Sequence, residues 1–527
     1  MKPKLSQINN QVAIIGSGFA GLSAACYLAK SGMEVTVLEK NFEFGGRARI
    51  WEYDLEKPNN LNELSSSKTK IKKGKFIFDM GPSWYWMPDV FAKFFGDFDK
   101  LPADFYELIR LDPAYRIFRD DRNNFVDLPS TYQDIQDLFQ QLEPDGNGAQ
   151  KLDKFINFAE FTYNKAVHDY MLRPSHSPLE FASLDFVSGV VRAGILSSYG
   201  KQIHKQFEHP SLRQILEFPV LFLGATPGQT PYLYALMAYT QIIGGTWYPL
   251  GGLASVSQSM VELAQSLGVK FINQANVTKI RTKNDKAIGL EFAKNNESEF
   301  LLANWIVAGA DYNHVEQNLL EPKHRRYSSK YWDKRTMSPS SLLFYIGVEG
   351  KLDKLLHHNL FFETDFELHA SEIYNNPKWP SDPLFYVCCP SKTEAEVAPV
   401  GCENLFVLMP LAPGLEDTQA MRDKYYQIIV ERMEKRIGQS FQDKIIVKRS
   451  YCLQDFQADY NSFKGNAYGL ANTLGQTAIF KPKMKSKLPN LFYAGQLTVP
   501  GPGIPPSIIS GQLAAGEVLK LHSANYK

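Results

Sequence analysis

Cysteine is scarce: Cys26, Cys388, Cys389, Cys402 and Cys452 are all that 527 residues contain. The count is odd and two are adjacent, so no disulfide framework is visible. No CxxC or Cys/His spacing marks a metal site either. A reducing compartment and no metal are the expectation. An excess of one charge is also missing. Net charge is +1 and the pI about 7.6, which removes any global electrostatic case for nucleic acid. No apolar run approaches the roughly 18 residues of a membrane-spanning helix. Met1 to Asn10 hold no apolar stretch, so no signal peptide is expected. Together these absences point to a cytoplasmic chain. Internal repeats are absent too. What is abundant is aromatic: 35 Phe and 26 Tyr exceed what one ordinary core demands, and a surplus suits an apolar ligand channel.

The strongest positive signal stands near the start. Val12 to Ile15 is an apolar run that reads as a buried parallel strand. Gly16-Ser17-Gly18-Phe19-Ala20-Gly21 follows, then a helical stretch, then a second strand, Glu34 to Leu38, closed by Glu39 and Lys40. Gly16 permits the tight turn, Gly18 lets backbone approach a pyrophosphate, and Gly21 lets helix and strand pack closely. The helix N-terminus offers free N–H groups to phosphate. Glu39 sits where a carboxylate bonds a ribose hydroxyl. This is a dinucleotide-binding βαβ unit. No second fingerprint of this kind follows, so no nicotinamide partner site is expected.

Trp51 to Lys75 is polar and lysine-rich, and 52–75 reads as a mobile loop inserted between strands. Residues 95–235 look mostly helical, with aromatics three and four apart. The uncharged stretch 231–246 reads as a buried helix or as one lining an apolar tunnel. Lys270 to Ile280 reads as a pair of strands returning to the first sheet, with Ala287 to Phe292 and Trp305 to Ala308 continuing it. Leu491 to Tyr493 is the last strand, and Pro505 and Pro506 open a final helix. The expected division is 1–94, 236–335 and 486–527 for the nucleotide domain, and 95–235 with 336–485 for a substrate-binding, membrane-facing lobe.

Four stretches carry a family resemblance. Gly45-Gly46-Arg47 just after the acid is one, with the fingerprint. Phe78-Asp79-Met80-Gly81-Pro82-Ser83 is the second, and Gly245 to Gly252 (with Trp247, Pro249 and Gly251) the third. The fourth runs from Gly465 through Tyr468 and Phe480-Lys481-Pro482 to Gly495-Gln496 and Gly501-Pro502-Gly503-Ile504-Pro505. On these motifs the chain resembles the bacterial phytoene-desaturase family of FAD-dependent carotenoid desaturases, over nearly its full length. The resemblance implies an α/β protein: a discontinuous Rossmann-type FAD-binding domain with an inserted α+β substrate lobe. It implies that Gly16, Ser17, Gly18, Phe19, Ala20, Gly21, Glu39, Lys40, Gly46 and Arg47 hold the adenosine diphosphate and that Val277 meets the adenine. Gly81 and Pro82 would face the flavin, and Gly495, Gln496 and Ile504 the ribityl chain and ring. Gln496 departs from the acid of the amine-oxidase branch, and Leu250 from an Arg in several relatives.

Desaturation takes a hydride to the flavin and a proton from the adjacent carbon. A hydrocarbon substrate gives no polar handle, so binding rests on apolar burial at roughly 25 cal/mol per Å². Asp169 and Arg173, with His168 beside them, are the candidates for polar catalytic residues; the alternative is a charged helix surface. The expected reaction converts phytoene to lycopene or neurosporene. The alternatives are a desaturase, saturase or isomerase acting on a later carotenoid or a retinoid, and a non-enzymatic prenyl-binding protein of the same fold. The expected partners are a lipophilic isoprenoid, a membrane surface met through 231–246 and Phe218 to Leu223, and quinone or oxygen as electron acceptor. A homo-oligomer stays open.

Overall fold

Two sheets organise the chain, and each gathers strands from distant stretches of sequence. The structure is a computed structural model and describes residues 10–57, 71–119, 125–177, 180, 197–221, 224 and 226–524. The first sheet is parallel throughout. Its order is Leu491–Tyr493, Trp305–Ala308, Gln11–Ile15, Glu34–Leu38, Lys270–Ile272. Val12 pairs with Val35 on one side and Trp305 on the other. The chain order reverses at that central strand, where open α/β sheets place their ligands.

The helix Phe19–Lys30 begins at Gly18, which is extended (φ −70°, ψ 173°). Its small residues Ala20, Gly21, Ala24 and Ala25 are buried. At Gly21 a Cβ would run into the Gly16 carbonyl, so only glycine allows this approach of helix to strand. The final helix, Ile504–Ala524, packs along it, with Ser23 Oγ donating to the Ile508 carbonyl at 2.7 Å.

The second sheet has seven strands in the order Ile445–Tyr451, Ser340–Glu349, Cys402–Leu411, Phe385–Cys388, His358–Phe361, Tyr115–Phe118, Phe125–Leu128. All neighbours are antiparallel except His358–Phe361 beside Tyr115–Phe118. One face packs on the helix Gln419–Ile437, capped by Thr418 and ended by left-handed Gly438. The other faces an aromatic core that includes Tyr115, Phe155, Phe207 and Phe218.

Several expectations change. The stretch 95–235 contributes strands as well as helices, two of them in the seven-stranded sheet; its aromatic spacing reflects core packing, which strands share with helices. Of the 270–280 pair, only Lys270–Ile272 joins the parallel sheet. Asn276–Lys283 pairs instead with Lys286–Lys294 and Glu297–Leu302 in a separate antiparallel sheet. Hydrophobic alternation fixes a strand but not its partner. The strands Ile50–Asp54 and Lys75–Asp79 pair antiparallel; between them, 58–70 of the expected loop lie outside the described residues. Phe218 and Val220 are fully buried, which removes them as a membrane contact, and 222–223 lie outside the described residues.

Candidate active site

A long cavity crosses the C-terminal ends of the parallel strands. Gly16, Gly18, Phe19, Ala20, Glu39, Lys40, Gly46, Arg47, Gly81, Pro82, Val277, Gly495, Gln496 and Ile504 all line it. Two expected contacts lie behind the wall. Gly21 packs helix on strand. Ser17 serves Glu39: its N–H and Oγ donate to one carboxylate oxygen at 2.9 and 2.8 Å. The Asn41 N–H and Nδ2 hold the other oxygen at 2.9 and 3.1 Å. The buried carboxylate is thereby aimed before any ligand arrives.

Arg47 tests whether the cavity suits a dinucleotide. Its Nη2 donates to Ser462 Oγ at 2.8 Å and to the Asn466 carbonyl at 3.4 Å. Its Nε is buried without a partner. Desolvation lowers the proton affinity of its guanidinium, and among the described residues no carboxylate pairs with it. Nearby Asp311 is engaged by the N–H groups of His314 and Phe463 at 3.1 Å each. A desolvated cation with a free donor, beside the glycine turn and a helix N-terminus, fits a diphosphate.

Asp79 has a role the sequence did not signal. Its carboxylate accepts the N–H groups of Leu253 and Ala254 at 3.0 and 3.3 Å, capping the helix Gly252–Ser266. Gly252 has no side chain because Asp79 fills that space. Two of the four recognised motifs are thus one structural unit. Burial pushes the Asp79 carboxyl up to about 7.

A second cavity, of about 680 Å³, meets the first. Gly81, Pro82, Leu408, Tyr468, Gly503 and Ile504 line both, so reactants from the two meet there. The tunnel runs outward between Leu233, Leu236, Met237 and Thr240 on one side and Ile479 and Phe480 on the other. The uncharged 231–246 stretch therefore lines a tunnel. Near the junction, besides Tyr468, stand Ser83 and Tyr386, whose hydroxyls lie 2.9 Å apart; Tyr386 OH also meets His358 Nδ1 at 2.6 Å.

The candidate catalytic residues do not converge. Asp169 is half-buried, pairs with Lys165 at 3.2 Å and lines neither cavity. His168 is exposed, 3.7 Å from Asp89. Arg173 does line the tunnel, its Nε donating to the Asp169 carbonyl at 3.2 Å and its Nη1 to the Glu180 carbonyl. This geometry favours the helix-surface reading for His168 and Asp169.

A dinucleotide cavity joined end to end with an apolar tunnel defines a flavoenzyme for a lipophilic substrate. The family model of flavin-containing amine oxidoreductases matches residues 19–519. A carotenoid 3,4-desaturase of Haloarcula japonica is 36% identical, over 97% of this chain and 98% of its own. A zeta-carotene-forming phytoene desaturase of Myxococcus xanthus is 28% identical, over 97% and 94%. Among solved structures, cyclohexylamine oxidase of Brevibacterium oxydans superposes with a TM-score of 0.56 at 15% identity, over 98% of this chain and all of the other. The chain belongs to the flavin-containing amine oxidoreductases and, within them, to the carotenoid desaturases. It is an FAD-dependent oxidoreductase acting on a carotenoid.

Bound FAD supplies the hydride acceptor. The chain's own part is placement. Glu39 and Arg47, which line the cofactor cavity, would hold the adenosine diphosphate end. At the helix start Gly503 and Ile504 keep the N–H donors that Pro505 and Pro506 lack, and these would favour negative charge beside them. The apolar tunnel walls would hold a polyene by burial.

Proposed function

We propose that this enzyme removes hydrogen across C3–C4 of an already conjugated acyclic carotenoid, which it draws from a membrane surface. The observation that carries this reading is the apolar tunnel opening onto the cofactor cavity at Pro82 and Ile504. The choice of a late step rests on 36% identity to the 3,4-desaturase, against 28% to the phytoene desaturase. The phytoene step read from the motifs is the second reading, favoured by that same 28% relative along its whole length. Phe480 and Phe161 line the tunnel and are 59% and 39% exposed. Lys165 and Arg173 line it too, which suits an anionic lipid surface around the apolar mouth. No helix among the described residues is long and apolar enough to cross a membrane, so contact from one side is the mode proposed. Quinone or oxygen would reoxidise the cofactor.

The test is anaerobic incubation of the purified enzyme with lycopene and, separately, with phytoene in liposomes. Lycopene should bleach the flavin band near about 450 nm and yield a product lighter by one H₂. If phytoene alone does so, the earlier step is the right one. If neither does, and an amine reduces the cofactor instead, the carotenoid reading fails.

A further inference from the structure

We propose that His357, His358 and Cys388 form a metal site in the wall of the substrate lobe, binding one thiophilic cation, zinc or monovalent copper. One ring nitrogen of each histidine and the Cys388 sulfur lie within 4.8 Å of one another. All three side chains are buried, at 4%, 0% and 2% exposure. Among the described residues no other group of three His, Cys, Asp or Glu is gathered this way.

The backbone brings them together. His358 and Cys388 are directly opposed in the antiparallel strands His358–Phe361 and Phe385–Cys388. The Cys389 N–H bonds the His357 carbonyl at 2.8 Å. In an antiparallel ladder that makes 358 and 388 the next, non-hydrogen-bonded pair, whose side chains stand closest. His357 enters from the residue before the strand. Cys388 lies thirty positions beyond the adjacent His357 and His358, so no sequence spacing announces the group and none was expected.

What the two imidazoles lack is the second observation. His357 Nδ1 meets Thr393 Oγ1 at 2.7 Å, and His358 Nδ1 meets Tyr386 OH at 2.6 Å. Both Nε2 atoms are buried, with no hydrogen-bond partner among the described residues. With each Nδ1–H donating to its oxygen, each Nε2 holds a lone pair, the tautomer a metal ligand needs. An oxygen fixing the far nitrogen of a ligating histidine is the usual outer support of such sites. Burial lowers the proton affinity of both imidazoles and raises that of the Cys388 thiol. A bound cation would displace the Cys388 thiol proton to solvent. Two imidazoles and a thiolate select zinc or copper over magnesium or calcium. Metal–ligand bonds of roughly 2.0–2.3 Å require the three to close slightly, by side-chain rotation. Tyr386 lines the tunnel and Trp84 stacks on His358 with ring centroids 3.9 Å apart. The cation would sit just behind the tunnel wall and tie two strands of the sheet together.

The test uses FAD-loaded enzyme, stripped with a chelator and dialysed against zinc or against monovalent copper under reducing conditions. Metal is counted by mass spectrometry, and its neighbours are read by X-ray absorption. One equivalent per chain with two nitrogens and one sulfur is expected, and the two dialyses say which cation is preferred. Cys388→Ser and His358→Gln should each lower affinity at least tenfold. Thr393→Val keeps every ligand and should weaken binding by about 10–100-fold. Cys402→Ser should change nothing. FAD content and circular dichroism establish that each variant is folded. Under one-tenth of an equivalent of either cation in the wild type overturns the site. So does a sulfur-free coordination shell, or full metal content in a folded Cys388→Ser variant.

Discussion

The two cavities that meet at Pro82 and Ile504 are built in opposite ways. The cofactor cavity takes its recognition from a few polar groups close together in sequence: the Gly16 to Gly21 turn, Glu39 and Arg47. Each has a fixed partner before FAD arrives. The tunnel collects apolar side chains from remote places, such as Pro82, Tyr170, Met237, Leu408 and Ile479. No one of them is required by the chemistry. A dinucleotide has phosphates and hydroxyls that demand particular atoms at particular distances, so its site is written locally. A hydrocarbon demands only shape, and shape belongs to the assembled fold.

The sharpest way to break this contrast is at the glycines. A Cβ on Gly18 meets no protein atom within 4 Å, and the residue is extended, so backbone and neighbours tolerate a side chain there. The space it would enter is the cofactor's. Gly18→Leu should therefore fold yet purify colourless. Gly21→Leu should fail to fold, since it drives the helix off the strand. Absorbance for FAD and circular dichroism for fold separate the two; a yellow Gly18→Leu protein would remove the diphosphate from this turn.

Arg47 comes next. It holds Ser462 and Asn466 but no carboxylate, so its charge serves the ligand more than the fold. Arg47→Gln should weaken FAD binding by about 10–100-fold, the weight of a charge-assisted bond of roughly 1.5–3 kcal/mol. Its thermal midpoint without FAD should hardly move. Titration with FAD measures the first and calorimetry the second.

How much of this was legible follows the same division. The Gly16–Gly21 turn and Glu39 were readable because a phosphate and a ribose impose residue types at set spacings, whereas Arg47 and Val277 came with the family resemblance. Asp79 was seen as part of a motif but not as a helix cap, because its partners Leu253 and Ala254 lie far along the chain. At the junction Ser83 only closed a motif, with no role given to it, and Tyr386 had no signal at all. Neither strand register nor the 358–388 pairing can be read from alternation alone. Asp169 drew notice by its charge, and charge on a helix is most often surface.

On the tunnel side effects should be smaller and spread out. Thr240 is buried, bonds its own helix at Leu236, and faces the tunnel. Thr240→Phe should narrow the tunnel and lower kcat/KM for a carotenoid about 10–100-fold, in the range of a misfitted apolar pocket. The FAD spectrum should stay as it is. A mouth variant, Phe480→Glu, should lower liposome binding by roughly tenfold, the order of one lost aromatic burial. Flotation reads it, and unchanged binding would place the membrane contact elsewhere.

The smallest effect concerns the buried cation on the tunnel side. Lys481 Nζ donates to Asn472 Oδ1 at 2.8 Å, beside Gly501, and both those neighbours line the tunnel. Arg47 keeps its charge for a diphosphate. Lys481 has no anion, and burial pulls its proton affinity down from 10.5 to about 7. Between those two values the unfolded chain holds the proton more tightly than the folded one. Stability from this group must then rise with pH from about 7 to about 10.5. Below pH 7 the ammonium is charged in both states and the cost of burying it is full. Lys481→Met removes that cost but leaves the Asn472 oxygen without its donor, a loss independent of pH. The informative quantity is therefore the change in Tm on mutation at pH 6 minus that at pH 9, with FAD saturating. It should be positive, about 1–3 °C for a chain of this size. The Asp79 carboxyl, raised to about 7, gives a slope of opposite sign below that pH, but it is present in both proteins and cancels. A difference of zero would mean that Lys481 stays charged at neutral pH despite its burial.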